Sequence, residues 1–323
     1  MKKPTEIAIF TMSLRNHVTS SNSPPMQTTS HIWKNGKLIK WSKCQTHVLT
    51  HTLHYSAGVF EGIRFYKTEK GPAVFRLKEH IKRLFYSADC IGMRIPYSET
   101  EIRNAIIETI KKNKITSGYI RPIAYYGYGK MGLHPKGAPI DIVIALWGWG
   151  AYLGGEAVKV KISPYMRIHP KSTVADAKIC GHYTNSILAS IDAHNHGYDE
   201  AILLDYQGNI AEGPGENFFM IKDEKIYTPR TGSILPGITR DAVITLAKDL
   251  GFTVIEKSIK PSDLKGADEA FFTGTAAEVS PIASIDKIKF PKKNPISKLL
   301  KEEFIKIVTG KNKKYTKWLT LAS

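Results

Sequence analysis

Apolar residues recur along the chain at two periods, alternating over short runs and returning every three or four positions over longer ones. His31 to Ile39 reads as a hairpin, with Ile32-Trp33 and Leu38-Ile39 flanking the turn dipeptide Asn35-Gly36. From Glu79 to Ile91 the residues Ile81, Leu84, Phe85, Ala88 and Ile91 share one helical face, Gly92 ends the run, and Arg83 points away from the stripe. A second helix opens with the capping box Ser98-x-x-Glu101 and buries Ile102, Ala105, Ile106 and Ile110. Tyr119 to Tyr126 and Asp141 to Trp147 alternate as strands.

Four glycines among the eight residues Gly148 to Gly155 break this pattern and predict a mobile connector able to close over a ligand. Beyond it, Val158 to Ile162, Glu200 to Leu204, Asn217 to Ile221 and Ala270 to Thr273 read as strands, and Asn185 to His194 and Asp241 to Leu250 as helices. Strands and helices mix without regular alternation or internal repeat, which predicts an α+β fold rather than a doubly wound parallel sheet. The expected division is a flexible extension over 1–30, a smaller domain over 31–147, a connector over 148–157 and a larger domain over 158–323. The extension is rich in Ser and Thr, and Met26 is an alternative start of translation.

The chain has 323 residues and a formal net charge of +17. Attraction to anions follows, but the lysines are scattered, and even Lys311 to Lys317 lacks any reader of bases, so the charge is read as solvated surface without a nucleic-acid partner. Three cysteines without paired spacing argue for a reducing cytoplasm and against a disulfide framework. No apolar run approaches the roughly 18 residues of a membrane span. His51 and His54 lack further ligands, so no metal is assigned.

Candidate chemistry gathers in four stretches. Lys178 stands among small and apolar neighbours in VADAKICGHYTN, and desolvation of its amine favours the uncharged form that attacks a carbonyl. In EGPGEN, Glu212 to Asn217, a buried carboxylate facing a pyridine nitrogen would make the ring an electron sink, with Glu212 and Glu216 as rival candidates. LPGITR, from Leu235, offers the N–H groups of Ile238 and Thr239 and a hydroxyl to an anion. Gly274-Thr275-Ala276 offers similar donors after a strand. Taken singly, each stretch is equally well a polar turn, a helix cap or an exposed lysine.

Taken in order they resemble a family. HYSAGVFEGIR (His54 to Arg64), YIRP, AKICGHY, AEGPGEN, LPGITR and GTAAE together resemble the class IV aminotransferases of fold type IV, and within them the branched-chain amino acid aminotransferases, from about Ile32 to near Thr309. That resemblance implies pyridoxal 5'-phosphate in a cleft between two domains, Lys178 joined to it as an imine, Glu212 on the ring nitrogen and Tyr183 on the ring hydroxyl. It implies phosphate held by Arg83, Ile238, Thr239 and Thr275. Phe60, Tyr55 and Tyr152 would line the side-chain pocket, with Tyr55 and Leu133 donated by a second subunit, so the expected unit is at least a homodimer. Arg121 would take the distal carboxylate of glutamate, and Tyr119 with the backbone at Thr275 and Ala276 the α-carboxylate. The implied reaction exchanges the amino group of leucine, isoleucine or valine with 2-oxoglutarate. A D-amino acid aminotransferase and an aminodeoxychorismate lyase are the alternatives on the same scaffold. Pro214 and His182 depart from the common pattern, which more often has a small residue and an asparagine there.

Overall fold

The computed structural model describes residues 27–149 and 157–322. Met26, Tyr152 and most of the glycine-rich connector therefore lie outside the described residues.

A first sheet is antiparallel throughout. Its order is Leu319–Leu321, Gly71–Phe75, Ile63–Thr68, Gly118–Tyr126, Ile140–Trp147, His31–Lys34 and Lys37–Lys40, and Gly58–Phe60 also pairs with Gly118–Tyr126. The expected hairpin is present, with Trp33 opposite Leu38 and both Asn35 and Gly36 at positive φ, as a two-residue turn of the primed type requires. Helices Leu77–Asp89 and Glu99–Asn113 cover one face, their Leu77, Ile81, Leu84, Ile102 and Ile106 packing on Ile63, Phe65, Ile120, Ile142 and Leu146. The Ser98–Glu101 capping box forms as read. The first helix begins two residues before the expected Glu79, because Arg76 takes a left-handed conformation and turns the chain there.

The second sheet is mixed and closes on itself. Ile210–Glu212, Glu200–Leu204, Val158–Ile162, Glu278–Ile285, Glu269–Gly274 and Asn217–Lys222 follow one another by hydrogen bonding, and the pairing of Glu212 with Asn217 joins the last to the first. Lys225–Thr228 and Val254–Glu256 extend beyond the ring. The chain is thus α+β, and EGPGEN is the turn that closes a barrel-like sheet. Inside it Val160, Ile202, Ile210, Phe218, Phe272 and Ile282 form one core. Helices Ile238–Asp249 and Pro295–Val308 pack outside it on Phe219 and Phe271.

The lysines of the tail are exposed, as read, but the segment that carries them is also packed. Lys313–Trp318 forms a short 3-10 helix with Tyr315 and Trp318 buried, and Leu319–Leu321 then returns to the first sheet against Gly71–Phe75. Tyr315 and Trp318 stack and cover Phe75, and the lysines around them face outward. Among the described residues, no helix is long and apolar enough to cross a membrane.

Candidate active site

A cavity of about 430 Å³ opens where the two sheets meet, and its wall carries Phe60, Arg83, Tyr119, Arg121, Lys178, Tyr183, Ile238, Thr239, Thr275 and Ala276. Lys178 is held there by its backbone: its N–H donates to Ser87 Oγ at 2.9 Å and its carbonyl accepts from the Phe60 N–H at 3.2 Å. Val59 and Ile179 bridge alongside, so the lysine segment runs beside the strand Gly58–Phe60 of the other sheet. The amine lies 2.5 Å from the Tyr183 hydroxyl and 5.0 Å from the Phe60 ring centroid. Burial, reinforced by the Arg83 charge, pushes this amine down to about 8. Its neutral form is therefore accessible near physiological pH. Burial also raises Tyr183 above its ordinary value, keeping it a phenol. Neighbouring Cys180 is pushed up to about 11 by burial and is no nucleophile at neutral pH.

Arg83 does sit off the apolar stripe, but it turns inward. Its Nε and Nη2 donate to the two oxygens of Glu61 at 2.6 and 2.9 Å, and Nη1 donates to the Pro236 carbonyl at 2.9 Å. His80 Nδ1 lies 2.7 Å from the same carboxylate. Burial works against the charge of Glu61, yet Arg83 and His80 hold it far below the usual carboxylate range. Beyond Pro236, Gly237 opens helix Ile238–Asp249 with no side-chain cap, leaving the first N–H groups without intrahelical acceptors. Thr239 is buried in that first turn, so the arginine and a helix N-terminus converge on one wall and suit an anion.

Glu212 and Glu216 are both buried at the barrel closure, and their partners separate them. Glu212 accepts from Arg167 Nε, from Asn217 Nδ2 at 3.1 Å and from the Leu235 N–H at 3.1 Å. Burial raises its carboxyl above the ordinary value, with Arg167 pulling the other way. Among the described residues no cation bonds Glu216, and burial together with Glu200 and Glu212 drives it well above the usual range. Glu212 lines a smaller space that shares Tyr183, Gly215, Glu216, Asn217 and Leu235 with the main cavity. Lys178 is close enough to bear on it.

On the remaining wall, the Arg121 guanidinium lies 4.7 Å from the Phe60 ring centroid, 5.6 Å from that of Tyr119 and 5.8 Å from that of Trp147. Its Nε is buried without a hydrogen-bond partner among the described residues, which leaves a donor for a bound anion. Gly62 makes room for Tyr119, since a Cβ there would sit 1.8 Å from the hydroxyl oxygen. Arg64 pairs with Glu278 at 3.0 Å and donates to the Ala276 carbonyl at 3.3 Å, fixing the turn that carries Thr275. Tyr55 and Leu133 are not brought to this cavity; they are 40% and 87% exposed on the same molecule. His182 bonds Thr173 and, through burial and Arg167, is pushed down to about 4, so it is neutral beside Tyr183.

Sequence reasoning passed over Glu61, His80, Ser87 and Arg167. Glu61 lies inside FEGIR, and His80 and Ser87 occur at the helical spacing of Arg83, which marks a polar stripe in a helix otherwise read by its apolar face. Nothing local marks Arg167.

The class IV amino-transferase family model matches residues 58–285. The branched-chain-amino-acid aminotransferase of Pseudomonas aeruginosa is 47% identical over 296 residues, 90% of this chain and 96% of that one. That of Escherichia coli K12 is 42% identical over 297 residues, 90% and 96%. A solved T.th. branched-chain amino acid aminotransferase, complexed with N-(5'-phosphopyridoxyl)-L-glutamate, superposes with a TM-score of 0.89 at 42% identity, covering 92% of this chain and all of that one. The chain belongs to the class IV aminotransferases, and among them to the branched-chain-amino-acid aminotransferases.

Proposed function

We propose that this enzyme exchanges amino groups between leucine, isoleucine or valine and 2-oxoglutarate, using pyridoxal 5'-phosphate. The observation that carries the reading is the buried Lys178 amine, near neutrality at about 8, in a cavity shared with an arginine and a helix N-terminus. The residues fit the cofactor: Arg83, Ile238, Thr239 and Thr275 would hold its phosphate, Tyr183 its ring hydroxyl, and Glu212 its ring nitrogen. Raised by burial, the Glu212 carboxyl is suited to sharing a proton with a pyridine nitrogen. When bound, the cofactor supplies an aldehyde for amine attachment and a protonated ring that withdraws electrons.

Lys178 would hold the cofactor through Nζ, and the same amine, when free, would take and return the proton of the substrate α-carbon. Tyr183 orients Nζ. Arg121 offers its Nε, unpartnered among the described residues, to the distal carboxylate of glutamate, while Tyr119, Thr275 and Ala276 hold the α-carboxylate. Phe60 and Tyr152 receive the aliphatic side chain, and the apolar faces over Arg121 let one pocket serve both substrates. The exposure of Tyr55 and Leu133 supports their reaching a partner subunit's cavity, so the active unit is a homodimer. The division at 147 and 158 into two domains separated by a connector, with the final strand returned to the first sheet, is part of this reading, as is residence in the cytoplasm.

A steady-state assay tests it. Turnover of L-leucine with 2-oxoglutarate in ping-pong kinetics is expected; turnover of D-alanine without L-leucine would replace the substrate assignment.

A further inference from the structure

Helix Leu77–Asp89 presents a second, polar stripe to the cleft: His80, Arg83 and Ser87, spaced three and four apart, bond to Glu61, to Glu61 and Pro236, and to the Lys178 backbone. Glu61 is the hub of this stripe. It follows Phe60, whose N–H binds the Lys178 carbonyl, and its own N–H donates to the Pro122 carbonyl at 2.9 Å, so its backbone is fixed between two sheet strands. We propose that Glu61, with His80 behind it, is a positioning residue that aims Arg83 at the phosphate of the bound cofactor. The proposal rests on the phosphate reading of Arg83 given above.

The hydrogen-bond inventory carries the argument. A guanidinium has five N–H groups in a fixed plane. Three of those of Arg83 are taken, by the two oxygens of Glu61 and by the carbonyl of Pro236. Two remain, one on each Nη, and Arg83 lines the cavity. Glu61 grips the side formed by Nε and Nη2, which fixes the rotation of the plane. Pro236 precedes the uncapped helix N-terminus, so the same arginine is tied to the turn presenting Ile238 and Thr239. A carboxylate accepts only, so His80 carries its proton on Nδ1 and donates it to Glu61, immobilising the oxygen that Arg83 Nη2 uses. Both Glu61 and His80 are fully enclosed, and without the carboxylate the arginine keeps only the single bond to the Pro236 carbonyl, which does not fix the rotation of its plane.

Full-length wild type, Glu61→Gln, Glu61→Asp, Arg83→Ala and the Glu61→Gln/Arg83→Ala double variant, each freed of cofactor, are titrated with pyridoxal 5'-phosphate and with pyridoxal. Their spectra report binding. The expected result is that Glu61→Gln weakens the phosphorylated ligand by on the order of tenfold to a hundredfold, as loss of an orienting partner does elsewhere, and leaves pyridoxal within about twofold. Glu61→Asp, which keeps the charge and shortens the reach, falls between. The double variant matches Arg83→Ala alone, since the carboxylate acts through the arginine. Because Glu61 also favours the charged Lys178, Glu61→Gln moves the pH midpoint of pyridoxal capture downward. Equal weakening of both ligands in the Glu61 variants, or additive losses in the double variant, overturns the proposal. If Arg83→Ala itself leaves the preference for the phosphorylated ligand intact, the phosphate assignment falls first. A Glu61→Gln chain that does not fold leaves Glu61→Asp to decide, by whether its loss is confined to the phosphorylated ligand.

Discussion

Glu61 and Glu212 are both buried, and each takes the Nε of a single arginine, yet their carboxyls move in opposite directions. Around Glu61, Arg83 bonds both oxygens and His80 adds a third donor, and together they overcome burial and fix the anion. Around Glu212, Arg167 engages one oxygen, the other donors are a neutral amide and a backbone N–H, and burial dominates, leaving a carboxyl that holds protons more readily than usual. The same residue pair therefore suits opposite tasks in the proposed reaction. At the first site the carboxylate holds the arginine, which under the proposed function would meet a phosphate. At the second the arginine holds the carboxyl, which under the same proposal would meet a ring nitrogen.

Removing the arginine at the second site breaks the comparison most severely. Arg167→Ala leaves Glu212 enclosed without its charge partner and is expected to lower stability by about 3–5 kcal/mol, read from the denaturant midpoint. Glu212→Gln keeps the shape and loses the charge. Its kcat is expected to fall on the order of 10² to 10³-fold, the usual cost of one preorganised electrostatic group, with the preference for phosphorylated over unphosphorylated cofactor unchanged. That pattern is the mirror of the one expected for Arg83, and a loss of phosphate preference in Glu212→Gln would erase the distinction between the sites.

Gly62→Ala, next to Glu61, is expected to be milder. The added methyl displaces the Tyr119 hydroxyl it would otherwise overlap, at about 1–3 kcal/mol of strain, and substrate KM rises while cofactor affinity at both ends stays unchanged. The smallest effect is a matter of pH. Only the uncharged amine attacks an aldehyde, and Lys178 is held down to about 8, so capture of pyridoxal by the cofactor-free chain is slow below that pH, rises through it and levels off above. A midpoint near the ordinary lysine value of about 10.4 would mean the amine is not desolvated.

Much of the fold was legible because it is local. The hairpin at Asn35-Gly36, the capping box at Ser98 and the strands Val158–Ile162 and Glu200–Leu204 each declare themselves within a few residues. Lys178 and Glu212 stand in ordered motifs, and Arg83 stands off the apolar stripe of its helix, which is what drew attention to each. What escaped reading is what depends on distant partners. Glu61, His80 and Arg167 are ordinary charged or polar residues until the fold brings them to Arg83 and Glu212, and the charge of a lone residue does not name its counterpart. The pairing of Val158–Ile162 with Glu278–Ile285 in the second sheet, and the return of Leu319–Leu321 to Gly71–Phe75, join segments that no window of sequence contains together. In the tail, the packing of Tyr315 and Trp318 on Phe75 and Phe304 was not read, because those partners lie elsewhere in the sequence.

The account depends on Lys178 as the amine that binds the cofactor. Borohydride reduction of the wild-type enzyme with pyridoxal 5'-phosphate, followed by peptide mass spectrometry, measures this directly. One reduced pyridoxyl group on the peptide bearing Lys178, and none in Lys178→Ala, is the expected result. A label on another lysine, or equal labelling of wild type and variant, would contradict it.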